Sequence, residues 1–155
     1  MSGAAADDPV ARAALAAFAA AYPQRPDAAP LRAGAPVRVA RLDRGGAYLL
    51  LALSDAQGPR GIVQLDADTL AVESAAQVLD PTAGALLSPA RALEVARSAF
   101  PLFTDWQVPL LGWRPCRESF DSFRPLWVVA HTAGQVYVDQ SGRAFARLTI
   151  GRGGA

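Results

Sequence analysis

Apolar residues follow two different periods along this chain, and the change from one to the other occurs twice. In residues 10–22, Leu15, Phe18 and Tyr22 stand three and four apart among alanines, which places them on one face of a helix. Asp7-Asp8-Pro9 just ahead is a start signal. A carboxylate there caps free backbone N–H groups, and proline suits the first helical position. Pro23 and Pro26 end the helix, and the four prolines of residues 23–36 predict an irregular connection.

The period then falls to two. Val37 and Val39 alternate with Arg38 and Ala40, and Arg44-Gly45-Gly46 makes a turn. Ala47–Leu53, Gly61–Asp66 and Leu70–Val78 follow as strands, separated by turns at Asp55–Pro59 and Ala67-Asp68. Short runs punctuated by Gly, Asp and Pro predict an antiparallel meander.

After a break at Asp80–Gly84 the same order returns. Ser88-Pro89 repeats the helix-start chemistry with a hydroxyl cap. Leu93, Ala96 and Phe100 share one face, with Ala92, Val95 and Ala99 beside it. Arg91, Glu94, Arg97 and Ser98 form the wet side, and Pro101 ends the helix. Trp106–Trp113, Pro125–His131, Gln135–Asp139 and Arg143–Ile150 read as strands, with a polar excursion over Arg114–Phe123 and a glycine-rich tail after Ile150. Both helices end in aromatic-Pro, Tyr22-Pro23 and Phe100-Pro101. The last hairpins also match, Val63-Gln64-Leu65-Asp66 against Val136-Tyr137-Val138-Asp139. The predicted fold is α+β, two repeated units of one helix on an antiparallel meander, at residues 1–85 and 86–155 and packed as one body.

The second half resembles the PepSY family, small domains in which a helix packs across an antiparallel sheet. The residues that carry the resemblance are the helix Ser88–Phe100, the strand Pro125-Leu126-Trp127-Val128-Val129, and the segment from Gly134 to Ala144. That last segment is similar to the family's closing hairpin, in which a strand ends in Val-Asp and a glycine turn opens the final strand. Val63–Val72 looks like a more decayed copy, and the insertion at Arg114–Arg124 departs from a minimal unit. The resemblance implies a non-catalytic module, associated in that family with peptidase inhibition or with regulation at the cell envelope. Bacterial immunity proteins, which neutralise toxins, share a similar helix-then-hairpin layout and are the alternative within the binding class.

Composition narrows the function classes. Hydrophobic residues make up 52% and charged residues 19% of the 155, which suits a folded globular chain. Fifteen basic residues, all Arg, face fourteen acidic ones for a net charge of +1. That balance provides no long-range field for nucleic acid or an anionic membrane. The uniform choice of Arg among many Ala, Gly and Pro fits a GC-rich coding bias. No run approaches the roughly 20 apolar residues needed to span a bilayer, and Met1–Asp8 lacks a basic leader segment. A cytoplasmic location is expected, or a periplasmic or extracellular one if a signal peptide precedes the natural chain.

Cys116 is the only cysteine, so neither an intrachain disulfide nor a multi-cysteine metal site can form. Cys116, His131 and Asp121 or Asp139 supply the residue types of a nucleophile, a base and an orienting group. No signature surrounds the cysteine, although Arg114 and Arg117 stand close by. An enzyme using Cys116 and His131 is therefore the alternative from another class, and no catalytic residue is assigned. Glu118 and Asp121 could serve as an acid/base pair only in a shared pocket. Asp66, Asp68 and Glu73 match no cation-binding loop. No cofactor and no metal are expected.

Binding chemistry is denser. Arg114, Arg117, Glu118, Phe120, Asp121, Phe123 and Arg124 fall within eleven residues, flanked by Trp113 and Trp127. Arg and aromatic side chains are over-represented at binding hot spots, and a sheet edge can accept an extended peptide. The expected activity is non-enzymatic binding of a protein or peptide, with a second copy of the chain as a further candidate partner.

Overall fold

Helix α1 (Pro9–Ala21) begins where the sequence predicts, with the Asp8 carboxylate accepting from the Val10 N–H at 3.0 Å. It ends at Tyr22, whose N–H bonds Phe18 O before Pro23 can break the ladder. In the computed structural model, which describes residues 8–24, 30–79 and 86–151, nine strands and a second helix follow. They are β1 (Arg32–Ala33), β2 (Val37–Arg41), β3 (Ala47–Asp55), β4 (Gly58–Asp66) and β5 (Val72–Gln77), then α2 (Pro89–Ala99). The last four are β6 (Leu110–Trp113), β7 (Leu126–His131), β8 (Gly134–Val138) and β9 (Ala144–Phe145). The break expected at Asp80–Gly84 and the tail beyond Gly151 lie outside the described residues. Among the described residues, no helix is long and apolar enough to cross a membrane.

The chain is thus α+β with mostly antiparallel strands, and it divides into two compact units. One comprises Met1–Arg38 with Gly46–Ala85, the other Val39–Gly45 with Leu86–Ala155. In the first, β3 and β4 pair antiparallel with Leu49 opposite Leu65, Leu51 opposite Val63 and Leu53 opposite Gly61. Opposed residues of an antiparallel pair point to the same side, so these six form one face. Helix α1 covers it with Ala14, Ala17 and Phe18. The fit is tight at Gly61, where a Cβ would lie 2.3 Å from the Phe18 ring. Tyr22 closes the end of the helix, its ring 5.0 Å from Phe18 and its hydroxyl donating to Ala75 O.

In the second unit β6, β7, β8 and β9 pair antiparallel in sequence order. Trp127 lies opposite Val138 and Val129 opposite Val136. This face, with the buried Ala92 and Ala96 of α2, forms the core. Ser88 caps α2 by accepting from the Arg91 N–H. Immediately before that cap, Leu87 O accepts from Trp127 Nε1 at 2.9 Å.

Four expectations need correction. The second unit is not a self-contained antiparallel meander, because Ala40 and Arg41 of β2 run parallel to Gly112 and Trp113 of β6. Parallel neighbours need a long crossover, which the intervening β3–α2 segment supplies. The proline-rich connection contains a short strand, Arg32–Ala33, laid against Ser54 and Leu53. The strand expected from Leu70 begins at Val72, because Leu70 takes a left-handed φ of 60° inside the turn. The strand expected over Arg143–Ile150 is only Ala144–Phe145, because Thr149 bonds Glu118 and Arg117 in place of a strand neighbour.

Candidate functional site

The pairing of Gly112 with Leu126 closes the base of the loop between β6 and β7. That loop carries most of the charged and aromatic residues singled out in the sequence, and it is tied down along its length. Cys116 and Ser119 form an isolated bridge, with the thiol 3.6 Å from Ser119 O. The Ser119 hydroxyl donates to Arg124 O at 2.7 Å, and Asp121 Oδ1 accepts from the Phe123 N–H at 2.8 Å. On the outer side the Glu118 carboxylate accepts from the hydroxyl and the N–H of Thr149, while the Arg117 N–H donates to Thr149 O. The loop is built, not draped.

The structure separates the expected site residues into three groups. Phe120 projects outward, 82% exposed, and Arg117, Asp121 and Arg124 are exposed on the same loop. Glu118 and Phe123 are half-buried supports of the loop. Trp127, only 8% exposed, belongs to the core and is bonded to Leu87 O, so its ring offers no surface to a partner. Trp113 and Arg114 are also half-buried, and Trp113 Nε1 and Arg114 Nε are shielded from solvent without a hydrogen-bond partner.

An open cavity of about 380 Å³ lies against the loop, walled on one side by Glu118, Ser119, Phe120, Asp121 and Arg124. Its other wall is Asp139, Gln140, Ser141 and Arg143, from the turn between β8 and β9. That turn was legible as a turn, but not as a wall of the site. The β7–β8 register explains the meeting: Val138 opposite Trp127 brings the residues after β8 beside those before β7. Gln140 completes the join, with Nε2 donating to Pro125 O at 2.6 Å and Oε1 accepting from the Leu87 N–H at 2.7 Å.

Electrostatics fixes both walls. Burial raises the Asp139 pKa, but bonds from the Arg143 N–H, the Ser141 hydroxyl and the Arg143 guanidinium outweigh it and leave the carboxyl below its ordinary range. Partial burial also works against Glu118, and the bonds from Thr149 outweigh it in the same direction. Both groups are already engaged as acceptors. Glu118, which accepts from Thr149, and Asp121, which accepts from the Phe123 N–H, each serve the loop's own geometry.

The residue types of a nucleophile and a base are kept apart. His131 stands at the far end of β7 from Leu126, beside which Cys116 follows β6. Five residues of strand span about 17 Å. Among the described residues no hydrogen bond joins the two. The His131 ring stacks on Phe103 at 3.9 Å and lies 5.2 Å from Trp106, while Nδ1 accepts from the Ala133 N–H. Burial pushes the Cys116 thiol up, which reduces its thiolate at neutral pH. Asp66 Oδ1 accepts from Asp68 N–H and Thr69 N–H, and Glu73 accepts from Gln64 Nε2. Among the described residues no group of three His, Cys, Asp or Glu is placed to hold a metal ion.

No family model, no curated protein and no solved structure matches this chain. The resemblance to PepSY domains accordingly rests on the chain's own residues alone.

Proposed function

We propose that this chain is a non-enzymatic binding module whose second unit engages a protein or peptide partner through the 114–124 loop. The observation that carries the reading is Phe120, an 82% exposed aromatic ring on a loop whose backbone is already fixed by Ser119, Asp121 and Glu118. A large apolar surface in water is favourable to bury, and a loop that is ordered beforehand loses little entropy when it is covered. Arg124, which shares the cavity with the ring, Arg143 across it, and the exposed Arg117 three residues before the ring suit a partner that offers an apolar side chain flanked by carboxylates.

Inhibition or regulation of a peptidase is the specific role that this reading carries forward from the PepSY resemblance. The two turns after β4 and β8 support a common origin for the units. In each, an aspartate accepts from backbone N–H groups of residues two to four positions later. The test is recovery of partners from the source organism by wild-type protein, Phe120→Ala and Phe120→Ala/Phe123→Ala, each first shown to melt cooperatively. Loss of a partner with Phe120→Ala supports the loop. A partner that binds all three equally overturns it.

A further inference from the structure

The face of β8 turned away from the core residues Val136 and Val138 carries a second hollow, of about 400 Å³, that shares no residue with the cavity at Phe120. Its apolar floor is Leu42, Leu148 and Ile150, and Tyr137 and Gln135 stand on β8 at its side. Arg114 and Arg147 both line it, and no acidic residue does. Among the described residues neither guanidinium has an ion pair. Arg114 Nε is shielded from water and has no hydrogen-bond partner. The outer nitrogens of Arg114 are not shielded in this way, and they are the ones an anion in the hollow would meet. The Tyr137 hydroxyl accepts from Gln135 Nε2 at 2.9 Å, which leaves its own proton to donate.

We infer that this hollow binds a small amphipathic carboxylate, its head between Arg114 and Arg147 and its apolar body against Leu42, Leu148 and Ile150. Charge complementarity selects the head: two unpaired cations and a hydroxyl donor face a wall with no competing carboxylate. A planar guanidinium and a carboxylate match as a two-point hydrogen-bonded pair. The apolar floor selects the body, since a bare inorganic anion would leave three aliphatic side chains in water. A volume of about 400 Å³ lies near the lower end of small-molecule sites, which run from roughly 300 to 1,000 Å³. The ligand is therefore a compact one.

Decanoate, below its micellar range, is the probe, with decanol and a decyl quaternary ammonium as isosteric neutral and cationic controls. Binding is read by amide chemical shifts of the ¹⁵N-labelled chain. Decanoate should shift amides around Arg114, Tyr137 and Leu148 saturably, and decanol should bind at least about tenfold more weakly. Arg147→Gln, at an exposed position, should weaken decanoate about tenfold with an unchanged melting temperature. Tyr137→Phe should weaken it by a smaller factor. Equal binding of decanoate and decanol would overturn the inference, as would wild-type affinity in both variants. Shifts that saturate elsewhere on the chain, or none up to millimolar decanoate, would also overturn it.

Discussion

The two units seat their helices in different ways. Helix α1 is pinned in its last turn by one aromatic ring: Phe18 fills the notch that Gly61 leaves in β4, between Leu53 and Val63. Helix α2 presents only alanines, Ala92 and Ala96, at the corresponding buried positions, and the sheet supplies the bulk as Val129, Val136 and Val138. It is then held at its ends. Trp127 bonds Leu87 O ahead of the cap, and beyond the last turn Phe100 stacks on Phe103, which stacks on His131. One contact dominates the first arrangement, while several smaller ones share the second. The difference also decides what is left over, because β7 and the flanks of α2 absorb Trp127 and His131 into structure. The exposed ring at Phe120 is then free of any part in helix docking.

The comparison breaks first at Phe18. Phe18→Ala should cost about 3–5 kcal/mol, the usual range for emptying a buried aromatic site, read as a lowered urea midpoint. Gly61→Ala should also be severe, since the new methyl group would meet the ring at 2.3 Å. The same change should cost little in the Phe18→Ala background, where the ring is gone. A double-mutant cycle measures that coupling. Additive costs would mean that the notch and the ring do not depend on each other, and the account of α1 would fail.

A second contrast lies in the turns that end β4 and β8. Asp66 Oδ1 accepts from two backbone N–H groups and the Thr69 hydroxyl. Asp139 is only 6% exposed and accepts from Ser141 N–H, the Ser141 hydroxyl and Arg143 N–H, with an ion pair to the Arg143 guanidinium at 2.9 Å. Asp139→Ala should cost about 2–3 kcal/mol, because several donors lose a charged acceptor together. The contribution has a definite pH dependence. The folded carboxyl lies below its unfolded value, so its stabilisation is complete above the ordinary aspartate range near pH 4. It is lost as the pH falls through that range towards the folded value. The gap between wild type and Asp139→Ala should therefore be constant from about pH 7 to 5 and shrink below pH 4. A gap that widens on acidification would refute the assigned direction.

Much of this architecture was legible in the sequence where one local rule acted without competition. Asp8-Pro9 and Ser88-Pro89 cap both helices, and the alternating runs at Ala47–Leu53, Gly61–Asp66 and Pro125–His131 lie within or overlap β3, β4 and β7. Failures came where a distant partner outweighed local preference. Thr149 is drawn to Glu118 and Arg117, which ends β9 early, and the parallel pairing of β2 with β6 joins residues about seventy positions apart. The site divides in the same way. Phe120 and its charged neighbours could be read from composition, whereas the wall at Asp139–Arg143 depends on a strand register that no local pattern reveals. Trp127 shows the opposite case, since an aromatic residue at a strand start reads alike whether it faces a partner or a core.

The smallest expected effect sharpens the comparison of turns. Both turns require one left-handed residue, and β8's turn places Gly142 there at φ 84°, while β4's turn places Leu70 there at φ 60°. Glycine adopts that region freely, and a leucine in it carries a strain on the order of 1 kcal/mol. Gly142→Ala should accordingly cost about 1 kcal/mol, although no atom lies within 4 Å of the added methyl position. Leu70→Asn, a residue tolerant of this backbone, should recover about 0.5 kcal/mol, reduced by whatever the half-buried leucine side chain contributes. Thermal denaturation of the two variants resolves effects of this size. If Gly142→Ala were neutral and Leu70→Asn destabilising, side-chain contacts and not backbone conformation would set the cost of these turns, and their likeness would extend no further than the aspartate.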